Sequence, residues 1–322
     1  MNDRIAFLTE DYLNLVIGGH IYTVRRLGKP VAWSPDGKSL LLTIPQPGSV
    51  PLYHLGIIRE PNWSWVEYVQ KNVYNADANW GPYSEWIVFL GIPDYYATQK
   101  DELSEKMGIY ILNLRSGEKR KVGDGACNPV WSPDGRMIAV TSHIADENAY
   151  GLKIINLGEN WTKEDWTGPS SERIIYRFTT KYMCSGTTSS WFPDSRRLLV
   201  TDGLKILIVN LEDGSIKNVY EINTPRVEGW LEARLLPDGQ HVVYKASYGD
   251  GWCRNDEDCQ HCGPERGIRT SWCRTDSRCW RNEIVLINLK ELTRKNITPK
   301  VEDYTLPTHY DSIQFVWWQE RQ

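Results

Sequence analysis

A short turn unit recurs along this chain and limits the folds that it can adopt. Two copies read Trp-Ser-Pro-Asp-Gly, at residues 33–37 and 131–135, and each is followed after one or two polar residues by an apolar run. Residues 80–84, 191–195 and 235–239 carry degenerate copies. Because repetition at a nearly constant period indicates a fold built from similar units, this pattern predicts the architecture before any local assignment.

Each copy has the residues of a tight turn between two strands. Proline presets φ at the first central position, aspartate tolerates the next, and glycine accepts a positive φ where the following strand begins. The apolar runs after the turn are rich in Leu, Val and Ile and are short enough to be buried strands. The tryptophan-level positions 33, 80, 131, 191 and 235 are separated by 47, 51, 60 and 44 residues. Four strands with their turns fit each interval, which is the period of a propeller blade.

The two ends of the chain supply a sixth unit. Trp317 closes an apolar run at residues 313–317 and lies 82 residues after Leu235; omission of the cysteine-rich residues 247–281 leaves another interval of 47. The chain is expected to stop before the next strand, which the N-terminal strand at residues 4–9 replaces. We therefore predict an all-β, six-bladed β-propeller with four-stranded blades, closed by pairing of the N- and C-terminal strands.

The repeat resembles that of the TolB β-propeller domain, which also occurs in the non-catalytic propellers of prolyl-oligopeptidase-like peptidases. The resemblance rests mainly on the copies at 33–37 and 131–135 and covers the chain outside 247–281. We predict one propeller domain over residues 1–322, with 247–281 as a Cys-rich insertion. The motif carries fold information and almost no functional information. The chain contains no G-x-S-x-G nucleophile elbow, and we expect no room in it for the hydrolase domain of those peptidases.

Charge and hydropathy argue against two classes of partner. The chain has 37 basic and 41 acidic residues, a net charge of −4, whereas a general nucleic-acid binder needs a basic face. No apolar run of about 18 residues is present, so no membrane span is predicted. No export signal is visible after Met1, because what reads as a strand begins at Arg4. Either an export segment was trimmed or the protein is cytoplasmic.

The propeller predicts two unlike faces. The turn face carries the repeated turns, and the long-loop face carries the loops between second and third strands and the connections between blades. Long loops are predicted at residues 10–18, 92–106, 143–150 and 247–281. Such loops usually carry binding, with the channel mouth as the expected ligand position, although extra loop length is also tolerated at little cost. The predicted contact residues lie in loops of this face: Tyr95, Tyr96, His143, Asp146, Glu147, Tyr182, Arg226 and Trp252.

The insertion contains the pattern Trp-Cys-Arg-x-Asp-x-x-Cys twice, at residues 252–259 and 272–279. If the two copies pair in a hairpin, one register places Cys253 opposite Cys279 and Cys259 opposite Cys273, around a Gly-Pro-Glu-Arg-Gly turn. These two disulfides are the preferred interpretation, since they would order an arm with few apolar residues. Local Cys253–Cys259 and Cys273–Cys279 bridges are the next alternative, because sequence does not fix connectivity.

A zinc site is the competing interpretation of the same cysteines. Cys259 and Cys262 form a C-x-x-C pair, which Cys273, Cys279 or His261 can complete. Otherwise no cofactor is predicted. With seven cysteines, at least one thiol has no partner within the chain, and Cys262 is the candidate.

The cysteines also bear on the compartment. Disulfides indicate the periplasm, the cell surface or the extracellular space, whereas zinc indicates the cytoplasm. Cys127 and Cys184, outside the insertion, are predicted to be buried small hydrophobic residues.

Three functions fit these features. The preferred one is a non-catalytic binding or scaffold propeller for a protein partner or a surface polymer. The second is a polysaccharide lyase or hydrolase at the channel mouth, for which 15 Trp and 17 Tyr supply stacking surfaces and Asp94, Asp146 and Glu147 supply carboxylates. The third is a structural subunit of a surface assembly.

Overall fold

The computed structural model is dominated by antiparallel β-strands, as the repeat predicts. It describes residues 4–8, 12–25, 28–125, 127–144, 147, 149–179, 189–203, 205–221, 231–236, 238–249, 280–296 and 316–318. Within these residues, 23 strands form five sheets, each with its strands in nearly sequential order. No helix in these ranges is long and apolar enough to cross a bilayer.

The first sheet joins the two ends of the chain. Its order is β23 (Val316–Trp318), β1 (Arg4–Leu8), β2 (Tyr12–Ile17) and β3 (His20–Arg25). Strand β1 pairs antiparallel with β23, so that Ile5 lies opposite Trp317. The predicted pairing of N- and C-terminal strands is therefore confirmed at the level of backbone register.

The second sheet contains two blade-like halves that share one long strand. β7 (Asn62–Trp80) pairs with β6 up to Tyr74 and with β8 from Tyr74 to Trp80. The outer strand of one half thus continues into the first strand of the next. The other strands are β4 (Lys29–Trp33), β5 (Ser39–Pro45), β6 (Leu52–Arg59), β8 (Trp86–Ile92), β9 (Gly108–Asn113) and β10 (Lys119–Gly123). Short helices follow β7 and β8: 3-10 turns Pro82–Ser84, Tyr95–Ala97 and Lys100–Glu102, and α1 (Leu103–Lys106).

Each of the remaining three sheets has four strands in chain order. The third contains β11 (Cys127–Trp131), β12 (Met137–Ile144), β13 (Ala149–Asn156) and β14 (Ser171–Arg177). The fourth contains β15 (Ser189–Trp191), β16 (Arg197–Asp202), β17 (Lys205–Asn210) and β18 (Ile216–Glu221). The fifth contains β19 (Leu231–Leu235), β20 (His241–Gly249), β21 (Trp280–Asn288) and β22 (Arg294–Asn296).

The repeated turns have the chemistry that their sequence predicts. The Asp36 carboxylate accepts hydrogen bonds from the Ser34 hydroxyl at 2.5 Å and from the Lys38 N–H at 3.0 Å. Gly37 has a φ of 70°, in the left-handed region that favours glycine. The copy at residues 191–195 has Ser195 at this position, with a φ of 56°. Its hydroxyl accepts a hydrogen bond at 3.0 Å from the N–H of Asp134, in the preceding turn.

Two of the tryptophans before the turns, Trp80 and Trp191, connect successive sheets or half-sheets. The indole N–H of Trp80 donates to the Ala32 carbonyl at 2.8 Å, and that of Trp191 donates to the Val130 carbonyl at 3.1 Å. Both rings are buried. The acceptor in each case immediately precedes the tryptophan-level position of the preceding unit. Each of these two tryptophans therefore packs against the preceding unit.

Two predicted long loops are shorter in the structure. Residues 12–17, predicted as loop, form strand β2, because Leu13 and Leu15 alternate along the chain and are fully buried. Between residues 143 and 150, β12 and β13 continue their ladder until His143 pairs with Tyr150 and Ile144 with Ala149. By contrast, residues 93–107 form a long excursion between β8 and β9, as predicted.

The cysteine insertion begins later than predicted. Strands β20 and β21 extend to Gly249 and from Trp280, and these two residues pair. Residues 250–279, including Cys253, Cys259, Cys262, Cys273 and Cys279, lie outside the described residues, so the disulfide and zinc alternatives both stay predictions. Cys127 is buried, as predicted, but it is disulfide-bonded rather than a free thiol.

Candidate functional site

The excursion between β8 and β9 is tied to the sheet through Asp94. This residue has a φ of 56°, and its carboxylate accepts hydrogen bonds from Gln70 Nε2 at 2.9 Å and from Lys119 Nζ at 2.6 Å. Gln70 is buried on β7, and Lys119 begins β10. Asp94 therefore holds the start of the loop against two strands of the same sheet.

The next two residues, Tyr95 and Tyr96, form the exposed part of this loop. The Tyr95 ring stacks on Tyr74 of β7, with ring centroids 5.4 Å apart and an interplanar angle of 20°. Tyr96 lies edge-on to Tyr95 at 5.9 Å and is 71% exposed. The predicted pair Tyr95 and Tyr96 thus forms one aromatic group with Tyr74, which the sequence prediction had not included. We call Tyr74, Tyr95 and Tyr96 the tyrosine group.

Hydrogen bonds to His54 lie beside the same stretch of β7. His54 Nδ1 lies 3.1 Å from Gln46 Nε2 and accepts the Asn72 N–H at 3.2 Å. Burial lowers the pKa of His54, and the charge of Lys71 lowers it further. With Nδ1 accepting two donors, His54 is a neutral imidazole that positions Asn72 on β7.

The predicted residues of the third sheet form two separate pairs. His143 lies edge-on to Tyr150, with ring centroids 5.3 Å apart. The Glu147 carboxylate accepts two hydrogen bonds from Arg177 Nε, at 2.8 and 3.1 Å, and one from Nη2 at 3.0 Å. These bonds lower the pKa of Glu147. A carboxylate held in this way is suited to position the loop rather than to donate a proton.

Four predicted contact residues, Asp146, Tyr182, Arg226 and Trp252, lie outside the described residues and stay predictions. In the described ranges, the tyrosine group shares no ring contact, hydrogen bond or ion pair with His143 or Glu147. No three His, Cys, Asp or Glu side chains in these ranges are grouped in a way that would hold a metal ion.

The structure brings together three further residues, on the edges of three sheets. Asp77 lies where β7 pairs only with β8, and its Oδ2 accepts the backbone N–H of Asn128, which has a φ of 54° on the edge strand β11. Arg234 lies on the edge strand β19, and its charge acts on Asp77. The edges contact one another in the order β7, β11, β15, β19. We call the region beside these consecutive edges the axial space.

Asp77 is a titratable group beside this space, and its pKa is shifted by its surroundings. Its side chain is partly accessible but lies deep among protein atoms, and this burial raises the pKa of its carboxyl group. The Asn128 N–H and the Arg234 guanidinium oppose that rise.

A sequence signal for these residues exists but was missed. Asp77 and Asn128 both lie three residues before a tryptophan-level position, and Glu232 and Gln314 hold the corresponding places before Leu235 and Trp317. A polar residue that recurs there, in a strand predicted to be innermost, indicates a lined channel.

Two concave pockets lie elsewhere among the described residues. One, of about 440 Å³, is lined by the ion pairs Arg196–Glu212 at 3.1 Å and Arg197–Asp194 at 2.6 Å. The other, of about 370 Å³, lies between the fourth and fifth sheets, beside Phe192. Both flank the turn face, and the charges of the first are already satisfied.

Comparison with known proteins identifies the fold. Solved structures with the same arrangement include TolB from Acinetobacter baumannii, with a TM-score of 0.57 and 13% identity over 98% of this chain and 66% of that chain. A putative TolB from Agrobacterium tumefaciens has a TM-score of 0.54 and 16% identity, over 92% of this chain and 88% of the other. The chain therefore has a TolB-like β-propeller fold. At these identities, the likeness concerns the fold alone.

Sequence comparison adds one distant relative. A protein of Bacillus subtilis (strain 168), described as the uncharacterized peptidase YuxL, is 20% identical over 185 residues, or 56% of this chain. The match spans only 23% of that relative's length. No family model matches the chain.

Proposed function

We propose that this chain is a non-catalytic binding scaffold, a closed six-bladed propeller in one domain that binds a protein partner through its long-loop face. Counting β7 as the last strand of one blade and the first of the next divides the strands into six units of four. The β1–β23 pairing supports closure of the ring. Closure removes the free sheet edges that invite aggregation.

The observation that carries the proposal is the anchored tyrosine group. Tyrosine offers a large rigid contact area at low cost in side-chain entropy, and interface residues that dominate affinity are enriched in it. Here the loop that presents Tyr96 is held by the Asp94–Lys119 ion pair and by the stacking of Tyr95 on Tyr74. A loop ordered before binding loses less entropy when a partner docks.

The alternative enzymatic function has less support from the same residues. Asp94 and Glu147, two of the carboxylates proposed as acid or base, each make an ion pair within the chain. This geometry favours positioning over proton transfer.

We also propose an oxidising compartment, at the cell surface, in the periplasm or outside the cell. The disulfide at Cys127 supports this location, because such bonds persist mainly in oxidising surroundings. The repeated cysteine pattern of residues 252–279 points in the same direction. Intact mass with and without reductant, together with metal analysis, tests disulfides against zinc in the insertion.

Site-specific photo-crosslinking tests the binding face. A photoreactive phenylalanine analogue replaces Tyr96 in one variant and Tyr83 in the other, in cells that make the protein. Tyr83 is a matched control, since it is 69% exposed but belongs to the turn that follows β7. We expect a discrete protein adduct from position 96 and none from position 83.

The anchor supplies a second arm of this experiment. Asp94→Asn removes the ion pair with Lys119, so we expect it to lower the adduct yield from position 96, whereas Asp101→Asn in the same loop should leave the yield unchanged. Equal adducts at positions 83 and 96, or none at either, would contradict the proposed face.

A further inference from the structure

The pocket between the fourth and fifth sheets has apolar walls that belong to the core. We call it the inter-sheet pocket; its volume is about 370 Å³, and the buried ring of Phe192 lines it together with the half-buried side chains of Ile208 and Leu289. Ile208 lies on β17 of the fourth sheet, and Leu289 directly follows β21 of the fifth. Both pack against the hydrophobic cluster that the two sheets share, so the fold itself shapes these walls.

The strand register of the fourth sheet places basic and polar side chains on the same face as Ile208. In the β17–β18 ladder, Ile208 lies opposite Lys217. In the β16–β17 ladder, Arg197 lies opposite Asn210, which is two residues beyond Ile208 on β17. Residues directly opposite in a ladder, and residues two apart on one strand, point to the same face of the sheet. This face therefore changes from apolar at Ile208 to polar and basic on both sides of it.

The fifth sheet contributes the other wall through two connected turns. Gln240 and Lys290 line the pocket from these turns, and the Leu289 N–H donates a hydrogen bond to the Gln240 carbonyl at 2.8 Å. Gly239 lines the pocket as well, and a Cβ atom built on it would lie 3.0 Å from Pro193 Cδ. The turns of the two sheets thus approach each other closely beside the pocket.

The basic side chains of the pocket have unequal surroundings. Arg197 pairs with Asp194 at 2.6 Å, and its guanidinium lies over the Phe192 ring, 4.5 Å from the centroid. The exposed ammonium groups of Lys217 and Lys290 have no hydrogen-bond or ion-pair partner in the part of the chain that the structure describes. No Asp or Glu among the described residues lines this pocket. A negatively charged ligand would therefore meet two available cations and no carboxylate on these walls.

We propose that the inter-sheet pocket binds a small organic anion with an apolar body. Its acidic group lies beside Lys217 and Lys290, where two positive charges attract it. Its apolar body covers Ile208 and Leu289 and removes them from water. Ligand pockets typically have a volume of about 300–1,000 Å³ and combine apolar walls with a few polar groups, as this one does. Aryl phosphates and aryl carboxylates have the required chemistry.

This site goes beyond the proposed protein-binding face and is independent of it. The inter-sheet pocket uses the fourth and fifth sheets, whereas the tyrosine group belongs to the second. Failure of either proposal leaves the other intact.

The test separates the effect of charge from that of apolar surface. Binding of phenyl phosphate to the full chain is titrated by saturation-transfer NMR at pH 7.5, and inorganic phosphate, phenol and benzylammonium are measured by competition against it. We expect phenyl phosphate to bind about tenfold more tightly than inorganic phosphate or phenol, because each of these lacks one of the two contacts. Benzylammonium has a similar ring with the opposite charge and should bind most weakly.

Variants of the two lysines locate the site. Lys217→Gln and Lys290→Gln each remove one charge from an exposed side chain, so both are expected to fold. Each should weaken binding of phenyl phosphate about threefold, and the double variant about tenfold. Lys100→Gln and Lys163→Gln are matched controls, since they remove the same charge at exposed positions away from the pocket and should leave binding unchanged.

Three outcomes would overturn the proposal. Equal binding of phenyl phosphate and inorganic phosphate would indicate an adventitious ion only, with no part for the apolar walls. Undetectable binding of phenyl phosphate would exclude the site, and unchanged binding by the double lysine variant would place the ligand elsewhere.

Discussion

At the scale of single residues, two kinds of aspartate have opposite effects on the fold. Burial raises the pKa of Asp36, but hydrogen bonds from the Ser34 hydroxyl and the Lys38 N–H outweigh it and leave that pKa below its usual value. In Asp77 burial prevails, and the pKa is raised. The turn carboxylate therefore stabilises the folded chain when ionised, whereas the axial carboxylate destabilises it.

The raised pKa of Asp77 predicts a specific pH dependence. The folded chain keeps this proton at pH values at which the unfolded chain has lost it, so the stability that Asp77 contributes at low pH is lost as pH rises through its folded pKa. Asp77→Asn removes the ionised form. We expect the variant to exceed the wild type in free energy of unfolding at pH 7, by about 1.4 kcal/mol for each unit by which the pKa is raised.

Urea unfolding between pH 3.5 and 7 measures this difference. It should shrink as the pH falls toward the unfolded value of 3.8, while Asp101→Asn should show no such trend. A difference that stays constant over the whole range would contradict the assigned pKa shift.

At the scale of elements, Trp80 and Trp191 each link one unit to the preceding one through an indole hydrogen bond. Trp80 is buried and donates to the Ala32 carbonyl, so Trp80→Phe leaves that carbonyl without its donor and opens space beside the ring. We expect a loss of about 1–3 kcal/mol in the free energy of unfolding. Trp65→Phe is the control, since Trp65 is 71% exposed and should change stability by less than about 0.5 kcal/mol. Equal effects would show that the indole link contributes nothing.

The sequence anticipates these turns and wedges because their chemistry is local. Gly37 and Trp33 have the same roles in any context that lets the turn form. Residues 12–17 were wrongly predicted to be a loop. Their alternating pattern indicates a strand only once the structure shows that Leu13 and Leu15 are buried. The continuous strand β7 was likewise not expected, because no local sequence signal marks the point at which its pairing partner changes from β6 to β8.

The candidate site residues depend on longer-range geometry. Tyr95 and Tyr96 were predicted from their loop position, but their contact with Tyr74 depends on how β7 passes the excursion between β8 and β9. Asp77 and Arg234 are 157 residues apart in sequence. The effect of Arg234 on Asp77 depends on how successive sheets are placed, and a single polar residue in each repeat is a weak signal of that arrangement.

At the scale of the whole molecule, the account depends on a ring closed by the ends of the chain. Strand β23 supplies the innermost position of the sheet whose other strands, β1 to β3, come from the N-terminus. The edge of β1 is covered only while β23 is present. This pairing couples the stability of the first sheet to residues more than 300 positions away.

Hydrogen exchange of β1, measured by mass spectrometry in the full chain and in a chain that ends at Asp311, tests this claim most directly. The account predicts slow exchange at residues 4–8 in the full chain and rapid exchange after truncation, while residues 137–144 of β12 remain protected in both. Identical uptake at residues 4–8 in the two chains would contradict closure of the propeller through its terminal strands.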